Sequence, residues 1–417
     1  MDAPIELLRL ATIGSVDDGK STLIGRLLVD TRQLFDDQLD AVAAASAKRG
    51  VGDLDLSFVT DGLRAEREQG ITIDVAYRYA TTPKRKFVIA DCPGHVQYTR
   101  NMATGASTAD LALVVLDATA GLKEQTRRHL CIAALLGVRN VIVAANKMDL
   151  ADWERAPYDR VNDEVRELGK RLGFVDPLVI PVSALNGDNV VEPSAIANWY
   201  EGPSVLEALE GAAAGSWSSS NSGARLPIQW VLRQSGGGRT YAGMVNGANL
   251  SVGDEVTLLP QGITTSVKAI NGVPGNGHSA APGLSVDVDL PVDTDAGRGD
   301  MLATEPFPSV TRELAATVCW FGEEPLIPGQ RLRLKHTTRS TPARIKGIDG
   351  VLDIESLTVT TTHEVDFNEI GLVHIETSDP LTVDDYRDNR VTGSFVLIDE
   401  RNNATVAAGM VGHVEFL

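Results

Sequence analysis

The chain has 417 residues, 43% hydrophobic and 23% charged, with a net charge of −18. That length allows about three domains with cores of their own, and the acidic balance argues against nucleic acid, whose affinity comes largely from Lys and Arg on phosphates. Three cysteines (Cys92, Cys131, Cys319) without metal-ligand spacing point to a reducing compartment and no disulfide framework. The N-terminus lacks the basic region of a signal peptide and no apolar run is long enough to span a bilayer, so a cytoplasmic protein is expected.

The first apolar run, 7–13, reads as a short buried strand. Helical periodicity over 20–29 follows, with Leu23, Ile24, Leu27 and Leu28 on one face. Between them stands Gly14-Ser15-Val16-Asp17-Asp18-Gly19-Lys20-Ser21-Thr22, which fits G-x-x-x-x-G-K-[ST]. In that context the glycines let backbone N–H groups approach phosphates, and the helix N-terminus adds a favourable dipole. Lys20 would neutralise the β- and γ-phosphates and Ser21 would offer its hydroxyl to Mg²⁺. A glycine-rich turn without a ligand is the plainer alternative.

Residues 48–70 are charged and irregular, a segment able to order around a γ-phosphate. Thr72 could supply a second hydroxyl to the metal; a surface loop before an ordinary strand is the alternative. Ile73, Val75, Tyr77 and Tyr79 alternate with more polar residues as a strand does. A short strand at 87–90 leads into Asp91-Cys92-Pro93-Gly94-His95. The D-x-x-G spacing lets Asp91 reach Mg²⁺ through water while the Gly94 amide faces the γ-phosphate, glycine tolerating the close approach. Further strands at 111–116, 141–145 and 178–182 alternate with helices at 124–136 and 157–172. Asn146-Lys147-Met148-Asp149 follows one strand and Ser183-Ala184-Leu185 the last. The Asp149 carboxylate can accept both N1–H and N2–H₂ of guanine, a donor pair adenine lacks. Asn146 can contact the base or hold the phosphate loop. The stem of Lys147 can pack on the base, and a backbone amide of 183–185 can meet guanine O6. Taken together and in order, the motifs predict GTP binding.

Strands alternating with helices imply an α/β fold, a mostly parallel sheet with helices on both faces and ligands at the carboxyl ends of its strands. Residues 211–224 are small and polar, a linker. Beyond it the helical period stops. Short β runs at 228–232, 256–259, 265–270 and 284–290, then at 314–320, 331–335, 357–361, 371–375 and 394–398, suggest two small β-barrels or sandwiches. The expected division is a GTP-binding domain at 1–210, the linker, and β domains at 225–306 and 307–417. Each of the three domains has more acidic than basic residues.

These motifs resemble the translation-factor-like GTPases, in which such a domain is followed by two β-barrels. The resemblance assigns His95 to positioning the attacking water, with Val16 and Ile71 screening it; a loop histidine bonded to backbone is the alternative. Elongation factors usually carry histidine where Asp18 stands. The variant loop is similar to that of one narrower family, the large subunit of heterodimeric sulfate adenylyltransferase. So are 61–79, Gln97-Tyr98-Thr99-Arg100-Asn101-Met102, Trp199-Tyr200-Glu201-Gly202-Pro203, Leu334-Lys335-His336-Thr337-Thr338 and Asn389-Arg390-Val391-Thr392-Gly393-Ser394-Phe395. The glycine-rich loop at 234–239 looks shorter than usual in that family. The resemblance implies a GTPase, with GTP and Mg²⁺ as cofactors, bound to a smaller catalytic subunit that makes adenylyl sulfate and pyrophosphate from ATP and sulfate. A translation factor delivering charged tRNA is the alternative. The adenylylsulfate kinase fused to some relatives is not expected, because no second phosphate loop is present.

Overall fold

The computed structural model describes residues 6–33, 56, 72–213, 222–233, 238–274 and 277–413. The segment 48–70 (Leu56 apart), Ile71, most of the linker and 234–237 lie outside the described residues. The chain divides into two compact units, Met1–Gly215 with the last two residues, and Ser216–Glu415.

The first unit is built on a six-stranded sheet: β1 Leu7–Ile13, β2 Ala76–Thr81, β3 Lys86–Asp91, β4 Leu111–Asp117, β5 Asn140–Asn146 and β6 Leu178–Pro181, ordered β2-β3-β1-β4-β5-β6. All pairs are parallel except β2 with β3, which is antiparallel at the edge. The central strand β4 is buried along Leu111–Leu116, as a strand covered on both faces must be. Among the described residues its α-helices are α1 Lys20–Asp30, α2 Thr99–Ser107, α3 Glu124–Leu135, α4 Arg155–Leu172 and α5 Val205–Gly211. Leu23, Ile24, Leu27 and Leu28 of α1 join Leu8, Leu10, Leu113 and Ile142 in one core. The register aligns the strand ends: Thr12 pairs with Asp91 and Asp117 with Asn146, so the loops after β1, β3, β4 and β5 open on one edge. The strand order reverses at β1, where such sheets form a crevice.

Three elements of this unit differ from the sequence expectation, one of them the short helix α5, for which no helix was expected. β2 begins at Ala76 rather than Ile73, which leaves Thr72 and Ile73 outside the strand. Helix α2 was not expected: its buried stripe is only Thr99, Met102, Ala103, Gly105 and Ala106, too small to register as apolar periodicity.

The second unit contains two separate cores. One is a curled sheet in which Ala224–Arg233 pairs with both Arg239–Met244 and Met301–Ala303. The other is a seven-stranded sheet in which Arg331–His336 pairs with both Arg339–Asp353 and Ser394–Ile398, closing a ring. Arg331–His336 alternates exposed and buried residue by residue, the period-two signature of a sheet with one apolar face. The Arg225 guanidinium reaches both oxygens of Asp384 at 3.0 Å, in a nearly buried two-pronged pair between the two β regions. No helix among the described residues is long and apolar enough to cross a membrane.

Candidate nucleotide-binding site

The phosphate loop joins β1 to α1. Gly19 has φ +93° as the residue capping α1, and a Cβ there would run into the Asn146 side chain, so the position demands glycine. Lys20 Nζ donates to the carbonyls of Gly14 at 3.1 Å and Ser15 at 2.8 Å. Burial pushes its ammonium below the usual lysine range, against the pull of the Asp91 and Asp18 carboxylates. Opposite it, a Cβ on Gly94 would come 2.5 Å from Lys20 Nζ and 2.8 Å from the Gly14 carbonyl, so the D-x-x-G turn packs backbone against the loop.

Asp18 is fully buried. One of its oxygens accepts the Ser15 N–H at 3.0 Å and the other meets Lys123 Nζ at 2.6 Å. The carboxylate therefore braces the loop from inside, with its charge compensated. Ser15 Oγ meets Thr126 Oγ1 at 3.0 Å. Asn146 Nδ2 donates to the Asp18 carbonyl at 2.8 Å and Asn146 Oδ1 accepts the Ala184 N–H at 2.9 Å. Of the two uses open to Asn146, it is thus bonded to the loop, and it ties three motifs together. Lys147 Nζ bonds Asp117 Oδ2 at 2.9 Å. Partial burial opposes ionisation of Asp117, yet hydrogen bonds from Thr119 and Lys147 outweigh it and hold the carboxyl below its usual range.

These elements bound a cleft of about 450 Å³. Val16, Asp17, Gly19, Lys20, Ser21 and Thr22 line one end, with Thr72 and Gly94. Asn146, Lys147, Asp149, Leu150, Ala184 and Leu185 line the rest. Other motif members stand behind this lining. Gly14 and Ser15 supply carbonyls to Lys20, and Asp91 is buried beside Thr12 Oγ1 at 3.3 Å. Pro93 is buried in the turn. The Cys92 side chain turns toward α2, where its thiol contacts the Met102 carbonyl at 3.9 Å, and burial pushes the thiol up. Met148 and Ser183 are wholly buried; the Met148 N–H donates to the Val182 carbonyl at 3.2 Å. Cys92, Met148 and Ser183 therefore shape the site through backbone and packing rather than by side chains turned into the cleft.

His95 is half-buried and is not among the lining residues. Its Nδ1 accepts the Gln97 N–H at 3.3 Å, and its ring lies 5.9 Å from that of Tyr98. A neutral imidazole accepting at Nδ1 carries its proton on Nε2, so the outer nitrogen is a donor.

Sequence reasoning missed Asp117, Lys123, Thr126 and Leu150. Only Asp117 and Leu150 left a signal, Asp117 closing an apolar strand at the same sheet edge and Leu150 directly following Asp149. Lys123 and Thr126 reach the loop from α3 and the turn before it, which no local pattern announces.

A phosphate loop after β1, a D-x-x-G turn after β3 and an N-K-x-D turn after β5, gathered on one cleft, define a P-loop GTPase domain. Residues 6–214 match the family described as the Elongation factor Tu GTP binding domain, and residues 313–412 match the GTP-eEF1A C-terminal domain-like family. The chain is 47% identical over 408 residues to "Sulfate adenylyltransferase subunit 1" of Aeromonas salmonicida, covering 97% of this chain and 86% of that protein. It is 51% identical over 413 residues to the "Bifunctional enzyme CysN/CysC" of Mycobacterium tuberculosis, spanning 67% of that protein's length. The solved structure of sup35 complexed with GDP aligns over 98% of the chain and 94% of its own, at 23% identity and a TM-score of 0.43. The chain belongs to the sulfate adenylyltransferase subunit 1 family.

Proposed function

We propose that this protein is the GTPase subunit of a cytoplasmic sulfate adenylyltransferase. GTP hydrolysis here drives formation of adenylyl sulfate and pyrophosphate from ATP and sulfate on a smaller catalytic partner, the two chains forming a heterodimer. The observation that carries the reading is 47% identity across most of a sulfate adenylyltransferase subunit 1, in a chain whose GTPase motifs surround one cleft. Separate apolar cores among the described residues support the division into a nucleotide domain at 1–210 and β domains at 225–306 and 307–417. Delivery of tRNA is the weaker reading, since no domain has a basic excess for RNA.

In this reading Lys20 neutralises the terminal phosphates and the loop amides of 14–22 cradle them. Ser21 and Thr72, both on the cleft, and Asp91, behind it, are the residues that would hold Mg²⁺, which supplies charge compensation on the phosphates. Their hard oxygen donors suit that ion. His95 positions the attacking water through Nε2–H. Asp149 reads guanine, with Lys147 along the base and the Ala184–Leu185 backbone near O6.

Asp149→Asn is expected to shift preference from GTP toward xanthosine triphosphate, by about 10- to 100-fold in relative affinity, because one good donor–acceptor pair to a base is worth ~1–3 kcal/mol. A competition assay in which the unaltered protein binds ATP as well as GTP would refute the base assignment.

The coupling itself has a direct test. The phosphoric–sulfuric anhydride is a high-energy bond, so ATP and sulfate alone reach a poor equilibrium. A partner merely switched on by GTP leaves that end point unchanged. Stoichiometric coupling moves it, tenfold for every ~1.4 kcal/mol transferred. Adenylyl sulfate measured at long times with the small subunit present should exceed the plateau obtained with a non-hydrolysable GTP analogue. Equal plateaus would reduce the role to activation, and product from this chain alone would overturn the two-subunit reading.

A further inference from the structure

We infer that Asp349, His374 and His413 form a binding site for a divalent transition-metal ion on the last β region, outside the nucleotide cleft. His374 stands on strand Ile370–Val383 and Asp349 on the neighbouring strand Arg339–Asp353. Their register breaks between the pairs Ile348–Val373 and Gly350–Leu372, which leaves Asp349 as the extra residue of a β-bulge. Bulges re-aim a side chain, and this one brings Asp349 Oδ2 to 2.9 Å from His374 Nε2. His413 arrives from another direction. It follows strand Thr405–Val411, and the Gly412 N–H beside it donates to the Ala315 carbonyl at 2.8 Å. Ala315 is the cross-strand partner of His374. The turn thereby carries His413 Nε2 to 3.8 Å from Asp349 Oδ2, with the two imidazoles 5.5 Å apart and nearly perpendicular.

One ligand atom from each residue lies within 4.8 Å of the others. Two donors each ~2.1 Å from a tetrahedral ion are separated by ~3.4 Å, which falls between the 2.9 Å and 3.8 Å spacings. The second observation is His413 Nε2 itself: it is buried and makes no hydrogen bond, although 28% of the side chain is exposed. A buried ring nitrogen without a hydrogen bond is costly, and at 3.8 Å the Asp349 carboxylate is too far to supply one. The His374–Asp349 hydrogen bond leaves it unexplained, whereas an ion shared by all three satisfies it. Glu313, a further carboxylate whose charge reaches His374, is held by Lys346 at 2.8 Å and is not part of the set.

Two imidazoles and one carboxylate select zinc, cobalt, nickel or iron over magnesium and calcium, and three protein ligands leave an open position for water or a further ligand. Metal uptake requires His374 to give up the Nε2 proton it shares with Asp349, to its own Nδ1 or to solvent.

The test uses the full chain without a purification tag, saturated with GDP and excess Mg²⁺ so that the nucleotide cleft is filled. Titration with Co²⁺ is followed by visible absorption. One equivalent should bind with the intense bands of a four- or five-coordinate ion, and Zn²⁺ should displace it. His413→Gln, a change in a partly exposed turn, should weaken Co²⁺ binding by about 100-fold while GDP binding stays unchanged; Asp349→Asn should also weaken it. No Co²⁺ spectrum in the unaltered protein, or an undiminished one in His413→Gln and Asp349→Asn, overturns the site.

Discussion

Lys20→Ala is expected to lower GTP affinity by about 10²- to 10⁴-fold, on the basis that each of two hydrogen bonds to a charged group contributes ~1.5–3 kcal/mol. Lys20 already sits desolvated in the loop, bonded to the Gly14 and Ser15 carbonyls. Its ammonium therefore needs little further desolvation when phosphates arrive. Removing it does two things at once: it deletes the cation and leaves two loop carbonyls without their donor. The loss should be larger for GTP than for guanosine monophosphate, because in the proposed binding mode the missing charge faces the terminal phosphates. Equilibrium titration with fluorescent GTP, GDP and GMP analogues measures this gradient. Unchanged GTP affinity in a folded variant would remove Lys20 from the phosphate site.

The second large effect is on rate. His95→Ala is expected to slow GTP hydrolysis by about 10²-fold or more in the presence of the small subunit, with nucleotide affinity unchanged. Affinity should be spared because His95 does not line the cleft. The rate should fall because Nδ1 is occupied by the Gln97 N–H, which commits the neutral ring to an Nε2–H able to orient water. Single-turnover hydrolysis separates the two effects. A variant that hydrolyses GTP at the unaltered rate would show His95 to be an ordinary loop residue capped onto its own turn.

Much of the site was legible because its chemistry is contiguous. Gly19 and Lys20 are neighbours, Asp91 and Gly94 are one turn apart, and Asn146 to Asp149 follow a strand directly. Each segment carries its function in its own spacing. The α/β class was legible for the same reason, since β4 is a continuous apolar run and α4 carries a buried stripe at helical spacing. Periodicity failed where the buried stripe is made of small residues, as in α2, or where glycines and bulges interrupt alternation, as in Arg339–Asp353. Apart from Leu56, residues 48–70 lie outside the described residues, and the role expected of them rests on their composition.

What the sequence determined by itself was the nucleotide class and the order of its motifs, because the turns at the strand ends are set by a few adjacent residues. What only the tertiary structure decided were the contacts between distant segments. Asp18 finds Lys123 across 105 positions, Asn146 joins residues 128 positions before it to residues 38 after it, and Asp349, His374 and His413 meet through a bulge and a crossing turn. Such pairs leave no period to read: buried charges and ring nitrogens are matched only when sheet register and helix docking bring their partners within about 3–4 Å.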